Sequence, residues 1–156
     1  MERKMNRAER QLSPEATMDA LRRGDHGTLS MNGDEGFPYA TPINYILVGD
    51  TVYMHSATHG YRIDCLKRDP KICFSVITQT EIIPSKITAS FESVILTGKA
   101  VLVEDAAEKR TAMETFVTQK HPGYEEIGFK MIEKQLDRTA VIKLVPDSIT
   151  GKAYKG

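Results

Sequence analysis

The order in which β-type and helical segments follow one another constrains the fold of this chain more than any other feature of its sequence. Three β-type segments come in succession without a helix between them, and two further β-type segments again occur as neighbours. Parallel strands need a crossover, usually a helix, between them, so this order does not fit a parallel α/β sheet. It predicts a mainly β protein, an antiparallel six-stranded β-barrel with flanking helices.

Turn-forming residues separate the predicted strands, and capping residues mark the predicted helices. β-type patterns predict six strands, over residues 27–31, 39–48, 51–55, 71–77, 92–104 and 139–145. Helical spacing of apolar residues predicts four helices, over residues 14–23, 61–68, 105–121 and 125–136. Ser13 and Asp105 are the expected N-caps of the first and third helices. Residues 78–90 are polar and contain a proline, and we expect an irregular excursion there.

Composition and charge bound the function classes. The chain has 156 residues, 40% of them hydrophobic, and its 21 basic residues balance 21 acidic ones. We expect one domain, residues 13–156, after a flexible tail, residues 1–12. The balanced charge disfavours electrostatic nucleic-acid binding, and no apolar run has the length of a membrane helix or the form of a signal peptide, which predicts a cytoplasmic protein. Cys65 and Cys73 are expected to be buried, reduced thiols.

Common catalytic signatures are missing from the sequence. It contains no P-loop, no dinucleotide-binding GxGxxG and no GxSxG nucleophile elbow, which disfavours three large enzyme classes. His55 and His59 are four residues apart, but they span a strand end and a loop and not one helix face. We therefore predict no metal site.

The segment from His55 to Arg62 has the composition of a phosphate-binding loop. It places hydroxyl side chains, a glycine and an arginine where a strand passes into a helix, and a phosphate prefers free amides, a helix N-terminus and a guanidinium group. A solvated polar loop, with Arg62 paired to Asp64 or Asp69, is the alternative interpretation.

The preceding strand contains unusual residues between positions 41 and 45. Pro42 cannot donate a hydrogen bond to a sheet, so it requires a bulge or a sheet edge. Asn44 and Tyr45 place polar groups in an apolar strand, and buried polar groups need hydrogen-bond partners. These two side chains are therefore either bonded inside the core or directed at a ligand.

Seven short motifs occur in an order that resembles a known superfamily. They are GTLSM at residues 27–31, GFPYATPINY at 36–45, VYMHSA at 52–57, GYRID at 60–64, RDPKICF at 68–74, SVILTGKAVLVED at 93–105 and ITGK at 149–152. This ordered set resembles the pyridoxamine 5′-phosphate oxidase-like, FMN-binding split-barrel superfamily over roughly residues 18–152. Within the superfamily it looks most like the nitroimidazole-resistance (Nim-type) flavoproteins.

The resemblance implies a six-stranded antiparallel split β-barrel of the FMN-binding type, and a homodimer that holds one FMN in each of two interface sites. The residues implied to lie along the flavin ring are Thr41, Pro42, Ile43, Asn44, Tyr45 and Ser93. Those implied to hold the phosphate and ribityl chain are His55, Ser56, Ala57, His59, Gly60 and Arg62. Tyr61 departs from the family pattern, because many members have a second basic residue next to the arginine.

The activity implied by the resemblance is reductive. FMN would take electrons from a reduced donor such as NAD(P)H and pass them to a small acceptor, with a nitroaromatic as one candidate. His55 is the candidate catalytic residue, as a proton donor, because imidazole titrates near neutral pH. A chain without tryptophan lacks a residue typical of vitamin B6 oxidation. The alternatives are a non-catalytic module that stores flavin or haem, and a site for haem or deazaflavin in place of FMN.

Overall fold

The structure, a computed structural model, describes residues 4–156 and contains a barrel of six antiparallel strands with helices around it. The strands are β1 (His26–Asn32), β2 (Pro38–Val48), β3 (Thr51–Ala57), β4 (Lys71–Ile83), β5 (Thr88–Leu102) and β6 (Thr139–Tyr154). The α-helices are α1 (Pro14–Arg23), α2 (Tyr61–Arg68), α3 (Ala106–Lys120) and α4 (Glu125–Gln135). Neighbouring strands follow the order β1-β2-β3-β6-β5-β4, and β4 closes the ring on β1. The predicted fold class is confirmed.

Alternating residues of every strand fill the barrel interior. Tyr45 and Phe74 are fully buried there and pack edge to face, with ring centroids 5.3 Å apart. Helix α1 contributes Ala20 and Leu21 to the same core. Ser13 accepts a hydrogen bond from the amide of Ala16, which confirms the predicted cap of α1.

The pairing between strands β2 and β3 of the barrel is incomplete. β1 pairs with β2 over seven positions, from His26 with Asn44 to Asn32 with Pro38. β3 pairs with β2 only where residues 45–48 face residues 51–54. On its other side, β3 pairs with β6 over residues 52–57. Residues 38–44 of β2 therefore have a strand partner on one side only.

Helix α3 covers the outer surface of the barrel where β2 and β3 remain paired. A second apolar cluster there consists of Ile46, Tyr53, Ala112, Phe116 and Val141. Polar contacts support this packing: Tyr53 donates its hydroxyl proton to Glu108 (2.6 Å), and Lys143 donates to the same carboxylate oxygen (2.8 Å). Burial, together with the neighbouring Glu108, raises the pKa of Tyr53 to about 12.

The irregular excursion predicted for residues 78–90 is wrong. β4 and β5 continue as a hairpin, from the pair Gln79 and Glu92 to the pair Ile83 and Thr88, and a 3-10 turn (Pro84–Lys86) joins them. Pro84 lies in that turn, where a missing amide donor costs nothing. The hairpin projects with little apolar burial, so its residues lack the alternating pattern that marks a half-buried strand.

The last strand is longer than the predicted 139–145. β6 continues to Tyr154, which pairs with Phe91, and a register shift between Thr97 and Gly98 of β5 accommodates Pro146 within the strand. A bulge of this kind lets a proline occur inside a barrel strand.

At the N-terminus, Leu12 donates its amide proton to the carbonyl of Gly151, and Gln11 forms a bridge to Lys152. The flexibility of residues 1–12 stays a prediction, and residues 1–3 lie outside the described residues. No helix within residues 4–156 has both the length and the apolar character needed to cross a bilayer.

Candidate functional site

The open edge of β2 is the first component of the candidate site. The β3 ladder stops at the pair Tyr45 and Met54, so no strand within residues 4–156 pairs with the backbone of residues 41–44 on that side. Pro42 occupies this stretch and pairs regularly with Thr28 of β1 without a bulge. A proline is tolerated here because its missing N–H lies in an edge segment. Backbone polar groups with no strand partner need another partner, such as water or a ligand.

Arg62 lies across this open edge. Its Nε and Nη2 atoms donate to the Thr41 hydroxyl oxygen at 3.1 and 2.9 Å, and Nη2 lies 3.5 Å from the carbonyl oxygen of Pro42. Among the ion pairs of residues 4–156, none involves Arg62, and Asp69 accepts hydrogen bonds from Asn32 and from the amide of Lys71. The alternative in which Arg62 pairs with Asp64 or Asp69 is therefore wrong.

Helix α2 begins next to this guanidinium group without a side-chain cap. Gly60 stands at the N-cap position with φ of 114°, a conformation that favours glycine. A side chain added there would meet no atom within 4 Å. The first amides of an uncapped helix are donors, and the helix dipole adds partial positive charge, so this end of α2 suits an anion.

The loop before α2 is open to solvent. Ser56 is half-buried and donates its hydroxyl proton to the carbonyl of Ala57 at 2.8 Å. Ala57, His59 and Gly60 are exposed. These predicted residues directly precede the start of α2, and Arg62 is the second residue of that helix.

Four predicted residues stand apart from this group. Ile43 and Tyr45 point into the core, and the Tyr45 hydroxyl donates to the carbonyl of Leu21, so these two residues offer only backbone groups to the open edge. Asn44 instead lies on the exposed outer side and donates to the carbonyl of Asp25 at 3.1 Å. Ser93 belongs to β5, three strands from β2 around the barrel, which is about 14 Å at the usual strand spacing.

His55 points away from the barrel interior, towards α3. Its ring packs edge to face on Phe116, with centroids 4.7 Å apart and planes at 89°. Burial against these apolar groups, and to a smaller extent the charge of nearby His121, lower the pKa of His55 below its ordinary value of 6.5, although part of the ring reaches solvent. His55 is therefore mainly neutral at pH 7.

A cavity of about 440 Å³ lies above His55, between the barrel and the α3–α4 pair. It is bounded by His55, Met113, Phe116, Val117, His121, Tyr124, Ile127, Gly128, Met131, Ile132, Gln135, Leu136 and Thr139. Sequence patterns place the apolar members of this set on one face of each helix. Such a face predicts ordinary core packing. The exposed Ile127 and Met131 on α4 show that this face is only partly covered. The sequence contains no signal that separates a lined cavity from a filled core.

The model of the pyridoxamine 5′-phosphate oxidase family matches residues 13–153, nearly the whole barrel domain. The chain belongs to this family. In a comparison with curated proteins, none matched the chain.

Solved structures confirm the split-barrel fold. A candidate 5-nitroimidazole antibiotic resistance protein from Bacteroides thetaiotaomicron superposes with a TM-score of 0.74 at 22% identity, covering 92% of this chain and 86% of that one. The flavocytochrome Anf3 from Azotobacter vinelandii gives 0.79 at 24% identity, covering 97% and 73%. A FAD and haem binding protein from Mycobacterium smegmatis gives 0.78 at 21% identity, covering 94% and 74%.

Proposed function

We propose that this protein binds FMN as a homodimer and acts as an oxidoreductase that passes electrons from a reduced donor such as NAD(P)H to a small acceptor. The observation that carries the proposal is the position of Arg62. Its guanidinium group is held by a neutral hydroxyl, makes no ion pair within residues 4–156, and lies between an uncapped helix N-terminus and an open strand edge. A phosphate needs these groups, and a flavin ring has polar atoms that can pair with a strand backbone.

We assign two parts of FMN, its phosphate and its ring edge, to two groups of residues in the site. The phosphate is assigned to Arg62, the first amides of α2 and the loop residues Ser56, Ala57, His59 and Gly60. The polar edge of the isoalloxazine ring is assigned to the backbone of residues 41–45. Thr41 and Pro42 already hold Arg62 beside the strand edge, which supports a site that is ordered before the cofactor binds. Such preorganisation reduces the entropy lost on binding.

FMN, when bound, supplies the redox chemistry, and the chain positions it. His55 is proposed as the residue that delivers a proton to the reduced acceptor. Its ring is fixed by Phe116, and its lowered pKa makes the protonated form a stronger acid than a free imidazolium. Since the protonated form is scarce at pH 7, this role predicts that acceptor reduction accelerates as the pH falls.

The homodimer is supported by a sheet face without charge. On the outside of β2, β1, β4 and β5, two cross-strand rows contain only uncharged residues, in the order Pro42, Thr28, Ser75 and Ile95, and Ala40, Ser30, Cys73 and Thr97. Ile95 is 46% exposed. An uncharged sheet face of this kind suits an isologous two-fold contact, and Pro42 joins it to the open edge. Ser93 lies two residues from Ile95 on the same strand, which supports assigning it to the partner's cofactor in this dimer.

Purified protein loaded with FMN provides the test. We expect a flavin absorbance spectrum, one FMN per chain in titration, sedimentation as a dimer at micromolar concentration, and steady-state oxidation of NAD(P)H with an acceptor present. A compact monomer that binds FMN stoichiometrically would contradict the dimer. Bound flavin without NAD(P)H oxidation would leave a storage module, a Soret band would indicate haem, and a colourless protein that ignores FMN would contradict the proposal as a whole.

A further inference from the structure

The cavity between the barrel and the α3–α4 pair is lined by His55, the proposed proton donor, and by none of the residues that hold FMN in the proposed function. Its volume, about 440 Å³, is within the range of small-molecule pockets. Arg62, Thr41 and the loop before α2 do not line it. The cavity is therefore adjacent to the proposed cofactor site but is a separate space.

The chemistry of the lining limits what the cavity can bind. Among residues 4–156, no lysine, arginine, aspartate or glutamate lines it, and the titratable side chains of the lining are two histidines and Tyr124. His55 carries a lowered pKa, so the floor of the cavity is uncharged at neutral pH. A charged ligand would lose its hydration, and the lining residues offer no ammonium, guanidinium or carboxylate group to compensate, which is costly. The lining therefore favours a neutral molecule.

The walls favour a flat ring. Phe116 and Tyr124 offer aromatic surfaces, and Met113 and Met131 are flexible thioether side chains that adapt to different ring substituents. Gly128 keeps α4 close to α3, because a Cβ there would lie 2.5 Å from a Val117 methyl group. That close approach fixes one end of the cavity, while Met131, 53% exposed, lies at its mouth.

We propose that this cavity is the acceptor subsite, which binds an uncharged aromatic molecule with its polar substituent directed at His55. The role as acceptor rests on the proposed function, since it needs a flavin near Asn44 and His55. The β2–β3 ladder ends at the pair Tyr45 and Met54, so Asn44 and His55 are the first residues beyond the ladder on their two strands. The occupant of the cavity and the flavin edge would thus meet at His55.

Binding of 1-naphthol and of 1-naphthalenesulfonate, measured by isothermal titration calorimetry on the free and FMN-loaded protein, tests the proposal. The two probes share a ring system and differ in charge. We expect 1-naphthol to bind both forms of the protein with similar affinity, and the sulfonate to bind about tenfold more weakly or worse, because it must lose its hydration. Equal binding of the two probes, or displacement of 1-naphthol by FMN, would overturn the proposal.

Two tryptophan variants on α4 locate the binding. Met131→Trp narrows the mouth of the cavity and should weaken 1-naphthol binding about tenfold. Phe129→Trp lies on the same helix outside the lining and should leave that affinity unchanged. Identical affinities in the two variants would place the ligand elsewhere. A protein that takes up no FMN would defeat the proposed function, whereas the naphthol measurements on the free protein would still report on the cavity.

Discussion

The two halves of the β2–β3 pair contrast sharply. Where residues 45–48 face residues 51–54, the ladder is complete, and α3 covers the outer side with Phe116 against Ile46 and Tyr53. One step further the strands separate, and the backbone of residues 41–44 has an open side. Arg62 donates to the Thr41 hydroxyl and to the carbonyl of Pro42 along this side. The same two strands thus provide an apolar support and a polar edge.

The paired part of β2 and β3 contributes to stability, whereas the separated part leaves groups available for a ligand. Complete pairing uses the backbone hydrogen bonds, so only side chains remain to form a surface, and here they pack on a helix. Separated strands leave backbone donors and acceptors free for a ligand, at the cost of pairing energy. His55 lies at the junction, packed on Phe116 and next to the open edge.

The largest expected effect concerns the covered half. Phe116→Ala should lower the free energy of unfolding by about 3–5 kcal/mol, because it removes a buried aromatic ring and leaves a cavity beneath α3. Urea unfolding measures the change. Phe129→Ala, which removes a ring that is 37% exposed, is the control and should cost much less. Equal losses in both variants would mean that α3 does not support the barrel as the structure indicates.

The junction is probed by His55→Ala. FMN occupancy and flavin reduction by NAD(P)H should persist, while reduction of a saturating acceptor slows about 100-fold, the usual contribution of a positioned general acid. Stopped-flow kinetics separates the two half-reactions. In the unmodified protein the acceptor half-reaction should accelerate as the pH falls below 6.5, because the pKa of His55 is lowered. His26→Ala is the control, and an unchanged acceptor rate would leave His55 with a structural role only.

The open half is probed by Arg62→Ala. This change should weaken FMN binding by about 1.5–3 kcal/mol, the range for hydrogen bonds to charged groups, and leave the fold intact. Riboflavin, which lacks the phosphate, should bind equally well before and after the change. Lys67→Ala, in the same helix, is the control. If titrations show riboflavin and FMN losing affinity in parallel, Arg62 supports the structure and does not hold a phosphate.

A smaller effect on FMN affinity is expected when Arg62 is kept but the Thr41 hydroxyl that holds it is removed. Thr41→Val keeps the β-branched shape and removes the oxygen that accepts two hydrogen bonds from Arg62. FMN affinity should fall by about 0.5–1.5 kcal/mol, because the guanidinium group must then be ordered by the phosphate alone. Thr51→Val, at the start of β3, serves as the matched control. Full affinity in Thr41→Val would show that Arg62 needs no preorganisation.

The smallest effect concerns the pH dependence of the covered half. Hydrogen bonds from Lys143 and then Tyr53 lower the pKa of Glu108 below its ordinary 4.5. A carboxylate with a depressed folded pKa adds stability above its unfolded pKa and loses it as the pH falls through the folded value. Unfolding midpoints of the unmodified protein and Glu108→Gln should therefore differ at pH 6 and converge below about pH 4. A difference that is constant over this range would exclude a contribution from the ionised carboxylate.

Local signals in the sequence predict the helices and most strands well. Ser13 and Asp105 cap α1 and α3 as expected, since Asp105 accepts from the amide of Glu108 at 2.7 Å. Capping and alternation depend on residues a few positions apart, so they can be read without a fold. Residues 78–90 escape such patterns because neither face of that hairpin is buried deeply enough to impose alternation.

The candidate site likewise has features that the sequence predicts and contacts that only the structure shows. The residue types between His55 and Arg62 favour a phosphate, and the ordered motifs identify the family, since both lie in continuous stretches of sequence. Whether Arg62 pairs with Asp64 or Asp69, or lies free across β2, depends on contacts between residues 21 positions apart. Sequence spacing leaves that choice open, and only the folded chain makes it.

The sequence by itself therefore determines the helices, most of the strands, their antiparallel order and the chemical class of the loop before α2, because these follow from local propensity and periodicity. Only the tertiary structure decides where β2 and β3 separate, which side chains stay without an ion-pair partner, and that α3 and α4 enclose a cavity above His55. The physical reason is that strand register and helix packing are set by long-range contacts. A strand edge or a cavity is a property of two elements together, and neither element carries it alone.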